Sequence, residues 1–220
     1  MKIKVSDEFI IDTNRECYNN LGKLYTDGAD DFETLLDMGV WQEFLDGLGG
    51  KKVLDVGCGA GDAVKWLADR KYEVAACDLS DKMIEVARDK TTKAKFFVLG
   101  ANELGKINDK FDGIISIHLV QHLSKSMLRK FFSDIYNLLT DDGRFFLAFT
   151  DTCYEKTGYQ LDGEKEDNYI FWFKWRMEDI VPLLAKAKLK PIFAKMQKGA
   201  DNSCAIDMEP FVFICEKIKQ

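Results

Sequence analysis

The chain has 220 residues, 46% of them hydrophobic, which suits one domain with a full core and requires no second one. A formal net charge of −6 argues against a nucleic-acid-binding surface, which is characteristically basic. Six cysteines (Cys17, Cys58, Cys77, Cys153, Cys204 and Cys215) form no C-x-x-C pair, which excludes zinc spacing and a disulfide framework and fits a reducing cytoplasm. The N-terminus lacks an apolar leader and no apolar run exceeds five residues, so no membrane association is expected.

Residues 7 to about 49 read as helical. Phe32, Leu35, Leu36, Val40, Trp41 and Phe44 recur at helical spacing before Gly49-Gly50 breaks the pattern, giving a helical cap over 1–49. A core follows over 50–150. Strand Val53–Val56 runs into Gly57-Cys58-Gly59-Ala60-Gly61. After the helix pattern at Ala63–Leu67, strand Glu73–Cys77 ends in Asp78-Leu79-Ser80, with Ser80 as the next helix cap. Strand Phe96–Leu99 precedes Gly100-Ala101-Asn102, and strand Phe111–Ile117 precedes His118. A helix over 124–139 starts at Ser124 and buries Met127, Leu128, Phe131, Phe132, Ile135 and Leu138, ahead of strand Arg144–Phe149.

The last segment, 151–220, is less regular. Residues 151–168 are polar and read as a mobile loop, and Tyr169–Trp175 reads as an aromatic edge segment. A helix over Glu178–Ala187 contains Pro182, tolerable only near a first turn. Strands Pro191–Met196 and Pro210–Cys215 form an antiparallel pair across 197–209. Short, continuously hydrophobic strands alternating with helices predict a doubly wound α/β fold, with a seven-stranded, mostly parallel sheet covered on both faces.

Chemistry concentrates in the glycine loop. A buried strand running into Gly57, Gly59 and Gly61 brings bare backbone against a ligand of nucleotide type. The dinucleotide fingerprint needs a glycine five residues after the first, and that position is Asp62, which weakens a pyrophosphate-binding or nicotinamide reading.

What remains is G-x-G-x-G with Asp55 at the strand's end, then Asp78 21 residues beyond Gly57, then Gly100-Ala101-Asn102, then Phe111 to Leu123. In order and spacing these segments, over residues 51–123, resemble the class I S-adenosylmethionine-dependent methyltransferases. The resemblance implies S-adenosylmethionine as cofactor and S-adenosylhomocysteine as product. It places Asp55 on the ammonium, directly or through a water, the amides of Gly57, Gly59 and Gly61 near the carboxylate, Cys58 against the cofactor, and Asp78 on the ribose hydroxyls. Ala101 and Asn102 would read the adenine, with Leu79 and Met83 as flanking apolar contacts and Ile117 closing the site. Met83 reads equally as core packing. The family often has an acid where this chain has Gly100, and Asn102 could substitute because an amide both donates and accepts. The C-terminal antiparallel pair is typical of the family and absent from dinucleotide dehydrogenases.

Tyr18 and Tyr25 resemble a tyrosine pair that covers the cofactor in many small-molecule methyltransferases, or are simply half-buried helix tyrosines. The chain has only two histidines. His118 at a strand end is the candidate base or acceptor contact, with a structural role as its alternative, and His122 reads as structural. There is no Asp/Asn-Pro-Pro-aromatic motif after the fourth strand, and no cysteine there to attack a pyrimidine. The expectation is a single-domain enzyme, monomeric or homodimeric, that methylates an O, N or C atom of a small molecule without metal, nucleic acid or membrane. A protein acceptor, or a non-catalytic binder of the same nucleoside, stays open.

Overall fold

The computed structural model describes residues 5–22, 35–36, 39–151, 158–161, 169–196 and 209–219. Tyr25, Cys153 and Cys204, and most of the expected helical cap between 23 and 38, lie outside them.

A sheet of seven strands runs β3-β2-β1-β4-β5-β9-β8. Its members are β1 (Lys52–Val56), β2 (Glu73–Asp78), β3 (Lys95–Val98), β4 (Phe111–Ile117), β5 (Leu139–Asp151), β8 (Leu189–Met196) and β9 (Glu209–Lys217). The first five are parallel, and β9 runs antiparallel to both β5 and β8. Strand order reverses between β1 and its neighbour β4, and a crevice opens beyond the carboxyl ends at such a switch point.

Alternation explains why each strand is apolar throughout. Leu54, Ile114, Phe145, Leu147 and Phe213 face one buried cluster, whereas Val53, Ile115, Phe146, Ala148 and Ile214 face the other. The first cluster is sealed by α1 (Asp7–Leu21), α5 (Lys125–Leu138) and α6 (Met177–Lys186) through Ile10, Phe131 and Leu184. The second is sealed by α2 (Val40–Asp46) and α3 (Asp62–Asp69) through Trp41, Phe44 and Leu67. α4 (Asp81–Lys90) joins β2 to β3. Serines start three helices: Ser6, Ser80 and Ser124 accept the amides of Phe9, Met83 and Met127.

Three expectations need correction. Residues 158–161 of the expected loop form β6 (Gly158–Leu161), which pairs with β7 (Tyr169–Trp172) as a separate antiparallel ribbon. β5 starts earlier than Arg144 because the register slips between Phe111 and Gly113, which absorbs residues 139–143 as an irregularity. Pro182 is the sixth residue of α6, beyond its first turn. Both it and Glu178, whose carbonyl loses its helical donor, are exposed, so water can replace the missing bond.

Candidate active site

The β1–α3 loop is tied down by its own backbone. The Gly57 and Cys58 amides both donate to the Cys77 carbonyl at 2.8 and 3.0 Å, and the Gly61 amide donates to the Cys58 carbonyl at 2.9 Å. The Gly59 amide donates to Asp78 Oδ2 at 3.0 Å. These amides are therefore spent within the protein, contrary to the expectation that they hold a ligand carboxylate. The donors left are at the start of α3, where Asp62 and Ala63 of its first turn, and Ala60 just before it, line the cleft and Gly61 provides no side-chain cap.

The glycines differ in purpose. Gly59 has φ +50° and nothing within 4 Å of a hypothetical Cβ, so it is bare where the cleft opens. Gly61, at φ +83°, would place a Cβ 2.7 Å from the Cβ of Ala87 on α4. It does not line the cleft; it lets two helices approach.

Asp55, one residue before the end of β1, and Asp78, the last residue of the adjacent β2, both line the cleft. The Asp55 carboxylate receives no hydrogen bond and no cation among the described residues. Burial, helped by the nearby Asp78 charge, pushes its carboxyl up to about 8. Asp78 accepts from Gly59 and also from the Ser80 amide, through Oδ1 at 2.9 Å. Burial still raises it against those bonds. Two acids held this way, with no cation among the described residues, form a site lacking positive charge.

Further along the same wall lie Leu79, Ala101 and Asn102. A Cβ on Gly100 would fall 2.6 Å from Asn102 Oδ1 and 3.1 Å from Leu79 Cδ1. The Asn102 amide thus fills the space that a side chain at 100 would use. Met83 is fully buried, outside the cleft, because its amide is fixed to Ser80 Oγ in the first inward-facing turn of α4. Of its two sequence readings, the structure gives core packing.

The opposite wall is apolar and aromatic. Ile117 and His118 close the β4 end, His118 at φ +53° with its amide on the Ala148 carbonyl at 2.9 Å. Such a backbone is uncommon for a side chain larger than glycine and marks a constrained turn. Cys58, whose thiol burial raises well above its usual value, also lines the cleft.

Sequence reading missed much of this wall. Ile11 and Asn14, which it did not name, share one face of α1 with Tyr18, which it did, and Leu119, His122, Leu123 and Met127 meet them. The i, i+3, i+7 spacing of the α1 residues was the available signal. His122 is both packed and cleft-lining: it lies edge-on to Trp172, Nδ1 is 3.0 Å from the Phe171 carbonyl, and Nε2 is 2.8 Å from the Tyr18 hydroxyl. Burial lowers it to about 4, so the ring is neutral at ordinary pH. Among the described residues no group of three or more His, Cys, Asp or Glu is placed to hold a metal.

Residues 53–143, from β1 to the start of β5, match the model of the methyltransferase domain family. Over that stretch, about two fifths of the chain, it resembles a methyltransferase domain, and solved S-adenosylmethionine-dependent methyltransferases share its fold. A ubiquinone biosynthesis O-methyltransferase of Azoarcus sp. (strain BH72) is 40% identical over 32% of this chain and 32% of its own. A Dictyostelium discoideum sequence described as "Probable 18S rRNA (guanine-N(7))-methyltransferase" is 28% identical over 46% of this chain and 38% of its own. The alignments thus span a third to two fifths of these curated relatives. Among solved structures, magnesium protoporphyrin IX methyltransferase from Synechocystis PCC 6803 with bound S-adenosylmethionine superposes with a TM-score of 0.69. That match covers 99% of this chain and all of that one, at 18% identity, and so speaks for the fold. Within this methyltransferase fold, the acid-and-glycine wall and the aromatic wall meet at the β1–β4 switch point, as the topology requires.

Proposed function

We propose that this methyltransferase binds S-adenosylmethionine across the acid-lined wall and passes its methyl group to an O, N or C atom of a small molecule on the aromatic wall. The observation that carries the reading is the pair Asp55 and Asp78 at adjacent strand tips, flanking bare Gly59, with no cation among the described residues. A nucleoside carrying an ammonium and a sulfonium supplies the missing charge, and its ribose diol can use the remaining lone pairs of Asp78. Its carboxylate goes to the first-turn amides of α3, and its adenine to Ala101 and Asn102, with Leu79 alongside.

The acceptor reading is supported by the described residues of the aromatic wall, which carry no Lys or Arg for a phosphate backbone. The overall charge of −6 points the same way, as do the names of similar proteins that mention ubiquinone biosynthesis and magnesium protoporphyrin IX. The described cysteines Cys17, Cys58, Cys77 and Cys215 are all free, which fits the cytoplasm. Transfer to a nucleophile held in line needs chiefly positioning and exclusion of water, and His118, which lines the cleft at the β4 end, is the residue we assign to contact the acceptor. Calorimetry with S-adenosylhomocysteine and with NADH tests the cofactor: tight binding of the first alone is expected. Asp78→Ala should weaken it by about 1 to 3 kcal/mol, the cost of leaving polar groups unmet. Equal affinity in the variant would remove Asp78 from the site.

A further inference from the structure

Among the described residues the cleft is lined by three aspartates, Asp55, Asp62 and Asp78, and by no lysine or arginine. Two of them suit the ammonium and the ribose of the nucleoside, but Asp62 is the first residue of α3, at the helix start assigned above to the ligand carboxylate. Two anions would then share one end of the site. Lys90, the last residue of α4, removes that conflict: its Nζ donates to Asp62 Oδ1 at 2.7 Å, in an ion pair whose side chains are 22% and 29% exposed. The reach is set by Gly61. Because Gly61 has no side chain, Ala87 of α4 comes against it, and Lys90, three residues further along the same helix face, arrives at the start of α3. Lys90 is not itself among the lining residues, so it neutralises Asp62 without entering the cleft and leaves Asp55 and Asp78 short of positive charge.

We propose that Lys90 is a positioning residue for cofactor binding: by neutralising Asp62 it lets the start of α3 take the carboxylate of the nucleoside's amino-acid tail, and so makes the site select that tail. The inference rests on the methyltransferase reading and deepens it. Without Lys90, the bare Asp62 carboxylate repels the ligand carboxylate in a partly buried site, where like charges interact more strongly than in bulk water. It would also offset the pull of the α3 amides and dipole on that ligand. A lysine in a helix's last turn suits the dipole in any case, and an ion pair between two helices helps to hold them together. Those structural effects act on every ligand alike, whereas the repulsion acts only on a ligand that carries a carboxylate.

Calorimetry with two ligands tests this: S-adenosylhomocysteine, and its amine analogue in which hydrogen replaces the carboxylate. Lys90→Met should weaken S-adenosylhomocysteine about 10-fold and leave the analogue within about threefold of its wild-type affinity. The double variant Asp62→Asn/Lys90→Met should bring S-adenosylhomocysteine back to within about threefold of wild type, because the repelling charge has gone with its partner. Asp62→Asn alone keeps the lysine and should bind S-adenosylhomocysteine at least as tightly as wild type, a result that stands even where Lys90→Met does not fold. An equal loss for both ligands in Lys90→Met, no loss for either, or no recovery in the double variant would overturn the proposal. So would an Asp62→Asn variant that loses more affinity for S-adenosylhomocysteine than for the analogue. In each of these cases the wild type still binds S-adenosylhomocysteine and the methyltransferase reading stands. A wild-type protein that binds neither nucleoside would instead remove that reading itself.

Discussion

Asp55 stands between two demands. Buried beside Asp78 at the end of β1, its carboxyl is raised to about 8 and so holds its proton at neutral pH in the free protein. A bound ammonium needs the carboxylate, so the proton must leave as the ligand arrives. We expect S-adenosylhomocysteine affinity to rise between pH 6 and 8, with about one proton released at pH 7, read by calorimetry in buffers of different ionisation enthalpy. A proton count of zero would show that Asp55 does not meet the ammonium. The acids were legible in the sequence because a strand end followed by a tight turn leaves little choice of where a side chain emerges. Met83 was not, since its direction depends on the rotation of α4, which the Ser80 cap fixes and residue spacing alone does not. The partner of Asn14, a strand backbone 157 residues away, leaves no local trace at all.

Among the elements, α1 is tied to the rest of the fold by a series of single polar bonds. Asp7 accepts from Ser124 and Ser126 at 2.6 and 2.7 Å, Asn14 brackets Phe171, Tyr18 meets His122, and Asn19 accepts from Ser80 at 2.5 Å. Asn14→Ala should cost about 1 to 3 kcal/mol in urea denaturation, because the buried Phe171 amide loses its acceptor; an unchanged midpoint would mean α1 docks by other means. The sheet was legible because period-two burial on both faces demands continuous apolar runs. The β6–β7 ribbon was not, because its strands are four residues each and β6 sits in a polar stretch. The glycine loop separates the two kinds of information again. Gly61→Ala drives a methyl into Ala87 and should destabilise the fold by about 1 to 3 kcal/mol in the same assay. Gly59→Ala has open space before it and should instead lose S-adenosylhomocysteine affinity by more than it loses stability. The opposite ranking would mean that the cleft does not open at Gly59.

For the molecule as a whole, the cleft sets how stability follows pH, because its buried groups pull in opposite directions. His122 falls from 6.5 to about 4 on folding, so the unfolded chain takes up its proton first as pH drops. Its contribution, about 3 kcal/mol, is complete above pH 6.5 and is lost progressively down to pH 4. Asp55 rises from 3.8 to about 8, so its contribution is complete below pH 3.8 and is lost as pH climbs toward 8. Asp78, also raised by burial, carries the same sign as Asp55. Between pH 4 and 6.5 the terms offset one another, and above 6.5 only the acids act. Denaturant unfolding of the free protein should therefore change little with pH up to about 6.5 and then weaken toward pH 8. Asp55→Asn removes the larger acid penalty without removing side-chain volume. The variant should gain stability from pH 4 to 6.5 as the histidine contribution returns, lose less than wild type above that, and unfold later than wild type at pH 8. Because the ligand's ammonium ionises Asp55 in place, saturating S-adenosylhomocysteine should abolish that advantage by stabilising only the wild type. A variant less stable than wild type at pH 8 would show that Asp55 already has a cationic partner in the free protein, and the charge-deficient site on which the functional reading stands would be gone.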